Sequence, residues 1–295
     1  MSKSLLFDPI ESSYLVPFDG SFKIKNAPTD VEHDGKDENY AALAASVEKL
    51  AKLQGKLYAN NRYSILLIFQ ALDAAGKDGT IRAVMSGVNP VGTQVFAYKA
   101  PNAEELDHDF MWRVQRNLPE RGRIGVWNRS HYEEVLVVRV HPEYLGGQRL
   151  PRGTDDLPAL WEERFHSINE IEKHWARNGC VVLKFFLNVS HKEQHKRFLD
   201  RVSDPDNFWK FNEGDMEESE HWDSYMTAYE DALRATSKPW APWYAIPADS
   251  KTFMRRAVAE IIVATVSQLD LPPPVVSDKV AVAIERVKKQ LESES

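Results

Sequence analysis

A chain of 295 residues, 43% of them hydrophobic, holds enough apolar material for one large α/β domain with decorations. Its net charge of −7 argues against a surface built to coat nucleic acid, so any polyanion must meet a local basic groove. The single cysteine, Cys180, excludes an internal disulfide and a cysteine-based zinc site; it lies in an apolar run, where an inert core thiol is expected. The opening residues carry no long apolar segment, and no later run approaches the ~20 residues of a spanning helix, so a cytoplasmic chain with no membrane partner is expected.

Residues 1–37 are punctuated by Pro, Gly and Asp and predict an irregular arm that wraps the domain or a neighbouring subunit. "ENYAALAASVEKLAKLQGKLYA" (38–59) has apolar residues at helical spacing and predicts a long amphipathic helix. "YSILLIFQ" (63–70) is an uninterrupted apolar run of the kind buried on both faces of a parallel sheet. A helix is predicted from about Asp78–Thr80, a second strand over 93–98, and a helix over 102–119 with acidic residues early and arginines late. "RIGVWNRS" (123–130) gives a third strand, 157–179 a helix capped by Gly179, 180–189 a fourth strand and 190–202 a charged helix. A fifth strand over 243–250 and a long helix over 251–269 complete the pattern. Strands alternating with helices specify α/β architecture: a doubly wound, parallel, five-stranded sheet with helices on both faces. The division expected is an N-terminal arm and helix (1–60), a catalytic domain (61–270) and a C-terminal extension (271–295) with a short Lys/Glu helix.

The chemistry starts at "QALDAAGKDGT" (70–80), between the first strand and the helix after it. There a doubly wound sheet presents a helix N-terminus to an anion. The stretch almost spells the phosphate loop G-x-x-x-x-G-K-[ST]: Gly76 and Lys77 are in place, Ala71 stands for the first Gly, and Asp78 for the Ser/Thr that would sit on Mg²⁺. A plain surface turn would also use Gly76 and Gly79. Asp73, an acid inside an anion-binding loop, argues otherwise: a carboxylate there makes sense if it holds Mg²⁺ or positions a phosphate acceptor.

Two further groups share that edge of the sheet. "VWNRSHYEEVLVVRVHP" (126–142) delivers Asn128, Arg129 and Ser130, followed by Glu133 and Glu134; the guanidinium can hold a phosphoryl group bidentately, or the Arg–Glu pair merely caps a helix. After the fourth strand, Lys192, Lys196, Arg197, Arg201 and Lys210 interleave with Phe198, Phe208, Trp209 and Phe211, as in a lid that closes over donor phosphates, or as on a solvated helical face. "NEGDMEESEHWD" (212–223) carries no Lys or Arg and reads as solvated surface. Asp107 and Asp109 of "DHD" point in different directions on a helix and are discounted as metal ligands, and His131 and His141 lack a partner spacing for metal or nucleophilic chemistry.

Together "LDAAGKDGTIRAVMSGVNP", "DHDFMWRVQRNLPERGRIGVWNRSHYEEVLVVRVHPE" and "SDPDNFWKF" resemble the family-2 polyphosphate kinases, over roughly residues 15–270. That family has a fold of the P-loop kinase, thymidylate kinase-like type, with a helical lid (here about 191–222) and a degenerate loop containing an Asp. The resemblance implies transfer of phosphoryl groups between inorganic polyphosphate and nucleotides with Mg²⁺. Asp73 would bind the Mg²⁺ and orient the acceptor, Lys77, a cation expected at an exposed loop tip and not in the core, would hold the transferring group, and Arg129 would brace it. Ala74, Ala75, Gly76, Asp78, Gly79 and Thr80 of the loop, with Asn128, Ser130 and Glu133, would contact the substrates. Arg82, Lys99, Arg113 and Arg116 would line a polyphosphate channel with the lid residues Arg197 and Arg201. Asn128-Arg129-Ser130, in place of Asp-Arg-Ser, resembles the class accepting both nucleoside mono- and diphosphates or the one restricted to monophosphates. A homo-oligomer, dimer or tetramer, is expected as well, and from the net charge no nucleic-acid partner. The alternatives are an ATP-dependent nucleoside monophosphate kinase, which would place a Ser/Thr after Lys77, and a non-catalytic polyphosphate-binding protein, against which the intact Asp73, Lys77 and Arg129 count. No His or Ser nucleophile is called for, because phosphoryl transfer needs cations and alignment more than covalent help.

Overall fold

The computed structural model describes residues 6–151, 153–210, 212 and 214–294, with the backbone alone at Asn207 and Lys210. Strands β1 (Ser64–Gln70), β2 (Thr93–Ala97), β3 (Ile124–Asn128), β4 (Cys180–Asn188) and β5 (Trp243–Pro247) form one parallel sheet in the order β2, β3, β1, β4, β5. Strands β1, β4 and β5 are buried along their whole length, which is why their sequences are apolar without alternation.

The helices follow the strands in turn. Before β1 lies α1 (Lys36–Asn60), and after it α2 (Lys77–Met85). Between β2 and β3 are α3 (Ala103–Leu106) and α4 (Trp112–Gln115); between β3 and β4 are α5 (Val137–Val140), α6 (Leu145–Gln148) and α7 (Leu157–Arg177). The β4–β5 connection holds α8 (His191–Ser203), α9 (Gly214–Glu220) and α10 (Trp222–Thr236), and β5 is followed by α11 (Lys251–Val266) and α12 (Asp278–Ser293). Alternate residues of β1 serve two cores. Ile65, Leu67 and Phe69 pack with Leu50 of α1, Val84 of α2 and Val258 of α11. Leu66 and Ile68 pack on the other face with Phe165 and Ile168 of α7 and Leu233 of α10. Gly179 closes α7 with φ +93, where a Cβ would meet the Arg62 carbonyl at 3.2 Å.

The arm lies along the edge of this same domain. Val16 N–H donates to the Trp243 carbonyl at 2.9 Å and Ala245 N–H to the Tyr14 carbonyl at 2.8 Å, so β5 does not present a bare edge. Burial pushes the Cys180 thiol up to about 12, as an inert core thiol requires. Residues 102–119, expected as one helix, are instead two short ones. Asn102 and Glu105 form a capping box that starts α3, but the Asp109 carboxylate accepts from Met111 N–H, a local bond that competes with helix propagation and turns the chain before α4. Among the described residues no helix is long and apolar enough to cross a membrane.

From β1 the chain crosses to β2 on one side of the sheet, and from β4 to β5 on the other. The switch between β1 and β4 opens a crevice at their carboxyl ends, where ligands of such sheets bind. The β1–α2 loop, the ends of β2 and β3, α8 and the start of α11 all border it.

Candidate active site

Loop 71–76 leaves β1 and delivers α2. Gly76 has φ +103, and a Cβ there would sit 3.3 Å from Met254 Cε, so glycine answers both the backbone and the crowding. Ala74 (φ 61) and Arg129 (φ 63) also occupy the left-handed region, costly for residues with a Cβ and held here by the bonds around them. Thr80 is buried with its Oγ1 donating to the Gly76 carbonyl at 3.0 Å, and Ala75 is fully buried. Ser130 accepts from Tyr132 N–H at 3.2 Å and caps the turn after β3. Thr80, Ala75 and Ser130 thus shape the site from behind.

At its centre Arg129 Nη2 donates to Asp73 Oδ1 at 2.7 Å, and Nη1 lies 3.4 Å from Glu133 Oε2. Glu133 is steadied from the far side by Gln70 Nε2 at 2.8 Å. Glu133 first, then Asp73, hold the Arg129 guanidinium's pKa above its ordinary value against burial. Asn128 Nδ2 donates to Asp78 Oδ1 at 2.6 Å, so the residue that replaces the usual Ser/Thr is tied to the end of β3.

Lys77, expected at an exposed loop tip, is buried. Its Nζ donates to the Ala71 and Leu72 carbonyls at 2.7 and 3.2 Å. Burial lowers its pKa, against the opposing pull of Asp73. Two of its three N–H bonds go to the loop, leaving one for a phosphoryl oxygen.

Two cavities meet at the Asp73–Arg129 pair. The larger, 720 Å³, is lined by Asp73, Ala74, Gly76, Lys77, Asp78, Gly79, Arg82, Lys99, Asn128 and Arg129, by Arg197 and Arg201 of α8, and by Lys251 and Arg255 of α11. Its wall carries eight Lys and Arg residues against four Asp, a surface suited to a polyanion. The smaller, 390 Å³, lies on the other side and has Arg129 as its one cation among the described residues, facing Asp73, Glu133, Asp215, Glu217 and Glu218. Tyr144, Tyr225, Tyr229 and Leu136 add apolar wall. Such a pocket repels phosphates except at Arg129 and suits a nucleoside with hydroxyl and amino donors.

Not every expected residue comes to the site. Arg113 is buried against Glu105 (3.2 Å) and the Lys99 carbonyl (2.9 Å), and Arg116 lies over the Trp112 ring at 4.5 Å; neither borders the larger cavity, because the turn at Asp109 carries them away. Arg113 still fixes the backbone of Lys99, which does line it. Asp107 pairs with Arg149. Phe211 lies outside the described residues, as does the side chain of Lys210. The acidic stretch read as solvated surface is instead cavity wall: Asp215 bonds Arg201 at 2.6 Å, and burial, then the Asp73 charge, raises its pKa. Lys251 and Arg255 were not foreseen; Lys251 directly follows the β5 loop, the place such sheets reserve for ligand contacts.

Asp73 and Asp78 both border the larger cavity and offer carboxylate oxygens, the donor type a hard divalent cation takes. Mg²⁺ takes one or two carboxylates and completes its shell with water and substrate phosphates, and among the described residues no cluster of three His, Cys, Asp or Glu competes as a closed cage.

The model of the polyphosphate kinase 2 family matches residues 33–272. A Rhodopseudomonas palustris protein named ADP-polyphosphate phosphotransferase is 51% identical over 249 residues, 84% of this chain and 86% of the relative. A Meiothermus ruber protein named AMP/ADP-polyphosphate phosphotransferase is 40% identical over 275 residues, 91% and 98% of the two chains. The crystal structure of polyphosphate kinase 2 from Arthrobacter aurescens superposes with a TM-score of 0.82 at 34% identity, covering 98% of this chain and all of that one. With the misspelt loop, the Asp73–Arg129 pair and matches of this extent over most of its length, the chain belongs to the polyphosphate kinase 2 family.

Proposed function

We propose that this polyphosphate-dependent nucleotide phosphotransferase moves phosphoryl groups reversibly from inorganic polyphosphate to both AMP and ADP, by direct in-line transfer assisted by Mg²⁺. The observation that carries the reading is the Asp73–Arg129 pair as the shared wall of two cavities of opposite charge. Polyphosphate lies in the cationic cavity and the nucleoside in the acidic, aromatic one, so donor and acceptor ends meet at that pair.

Arg129 can turn its guanidinium from Asp73 to the transferring group, and Lys77 offers its remaining proton to the same oxygens. Asp73 and Asp78 would hold Mg²⁺, which when bound offsets the charge of two phosphate chains brought end to end. Asp73, released from Arg129, orients the acceptor. Alignment and charge do the chemistry, and no side chain forms a covalent intermediate. Acceptance of both AMP and ADP is supported by the neutral Asn128 and by the name of the Meiothermus ruber relative.

The same reading includes a cytoplasmic homo-oligomer. Val280, Ile284, Val287 and Leu291 of α12 recur at alternating steps of four and three residues and are exposed in the single chain, which supports self-association.

Protein, Mg²⁺, AMP and polyphosphate mixed without ATP should form ADP and then ATP, followed by chromatography. No nucleotide product would overturn the reaction; ADP alone would narrow the acceptor to monophosphates.

A further inference from the structure

Five consecutive loop carbonyls each accept a side-chain hydrogen bond. Lys77 Nζ donates to Ala71 and Leu72, Gln194 Nε2 to Asp73 at 3.0 Å, and Arg197 Nη1 to Ala74 and Ala75 at 3.3 and 2.7 Å. A loop that receives phosphate must aim N–H groups at the anion and turn its carbonyls away, and carbonyls turned into the protein need donors there. The first N–H groups of α2, having no partner within the helix, join that cradle. Three of the five carbonyls are held by α8, the lid helix.

Arg197 was expected to touch phosphate, yet its five N–H bonds are all taken by protein. Nε donates to Glu193 at 2.9 Å, Nη1 to the two loop carbonyls, and Nη2 to the Ala248 and Asp249 carbonyls at 2.6 and 3.0 Å. It is 5% exposed and Gln194 2%. Gln194 in turn accepts at Oε1 from Ser219 Oγ of α9 at 3.1 Å, so the amide that holds Asp73's carbonyl also holds the far side of the lid.

We propose that Gln194 and Arg197 are positioning residues: they hold the carbonyls of 73–75 back so that the N–H groups of the loop other than that of Ala75, which donates to the Leu72 carbonyl at 3.3 Å, face the phosphate, and through Ser219 Gln194 ties that shape to α9. The inference rests on the phosphoryl-transfer reading above. It commits Arg197 to act through the loop and not as a cation on the polyphosphate.

Three variants test it: Arg197→Gln removes the charge, Arg197→Lys keeps the charge but loses the planar fork, and Gln194→Leu leaves Arg197 intact. For each, kcat, KM for polyphosphate and the salt dependence of polyphosphate binding are measured below its own melting temperature. All three should lower kcat by about 10–100-fold, the loss expected for a displaced reacting group, with KM and the salt slope close to wild type. Arg197→Lys should rescue nothing. The inference is overturned if Arg197→Gln lowers the salt slope by about one and Arg197→Lys restores turnover, the behaviour of a phosphate ligand. It also fails if all three variants keep wild-type kcat. Should the Arg197 variants not fold, Gln194→Leu decides on the same kcat and KM criteria. Wild-type enzyme assayed first separates the two readings: no turnover with polyphosphate removes the proposed function itself, whereas normal turnover with indifferent variants removes only this inference.

Discussion

Strand β3 runs out between two clusters of charge that differ in almost every respect. On the core side, Lys184 Nζ donates to Glu172 (2.6 Å), the Tyr132 hydroxyl (2.8 Å) and the Thr236 carbonyl (2.8 Å), which uses all three ammonium protons, and the Lys184 and Glu172 side chains are 0% exposed. On the cavity side, Arg129 is 37% exposed and shared between two carboxylates, one of them at 3.4 Å. Burial draws Lys184 down to about 8 against the pull of Glu172. Burial pushes Glu172 up, but Lys184 and His131 outweigh it and leave its pKa below the ordinary value. The core cluster is closed, every charge answered from within; the cavity cluster is left open for a ligand to complete. Buried ion pairs are weak evidence of added stability but costly to break singly, whereas half-exposed ones can be rearranged at low cost.

The sharpest break in that comparison comes from the cavity side. Lys77→Ala should lower kcat about 10²–10³-fold, as loss of a preorganised cation at the transferring group does. Because its Nζ also holds the Ala71 and Leu72 carbonyls, stability should fall too, by about 1–3 kcal/mol. Denaturant titration beside a rate assay separates the two, and near-normal turnover would remove Lys77 from the site. Asp73→Asn keeps the size and removes the charge, so turnover should suffer far more than polyphosphate binding measured by calorimetry. Equal loss of both would make Asp73 a structural residue of the turn.

The core cluster should behave in the opposite way. Lys184→Met strands Glu172 and should cost about 3–5 kcal/mol of stability, while turnover per folded molecule stays within about threefold of wild type. Glu172 adds a pH signature. Its folded pKa is lowered, so its contribution is present above its ordinary value of 4.5 and is lost as pH falls through the folded value. Glu172→Gln should therefore lower the melting temperature at neutral pH and narrow the gap to wild type in acid. A variant that kept its stability but lost turnover would place the core cluster in the active site and erase the distinction.

The two clusters also differ in how legible they were. The strands and the loop could be read because continuous apolar runs and a Gly-Lys turn are local features, and Asp73, Lys77 and Arg129 each sit at the end of such a run. The burial of Lys77 could not, since a lysine beside a glycine looks the same whether its ammonium faces water or two carbonyls. Arg113 and Arg116 were misplaced because one Asx-type bond at Asp109 broke a helix that propensity favours. Asp215 and Glu218 looked like solvent-facing charge; only the return of α9 and α10 across the loop makes them cavity wall. The closed core cluster joins residues 132, 172, 184 and 236, a pairing no local pattern announces.

The smallest effect concerns the open cluster's edge, where Asn128 donates to Asp78 at 2.6 Å. Asn128→Asp sets two carboxylates at that distance, which they sustain only by sharing a proton or a cation. A diphosphate chelates Mg²⁺ better than a monophosphate and so brings the cation such a pair requires, while AMP brings a phosphate the pair repels. The substitution should lower kcat/KM for AMP more than for ADP, with a difference of about 1.4 kcal/mol appearing as a tenfold change of preference. Both acceptors are measured at saturating polyphosphate over a Mg²⁺ series. The double variant Asn128→Asp, Asp78→Asn rebuilds an amide–carboxylate pair with its members exchanged and should restore the ratio if the pair, and not position 128 alone, sets it. An unchanged AMP-to-ADP ratio in the single variant, or a shift toward AMP, would mean that acceptor choice is made elsewhere, in the acidic cavity beyond Arg129.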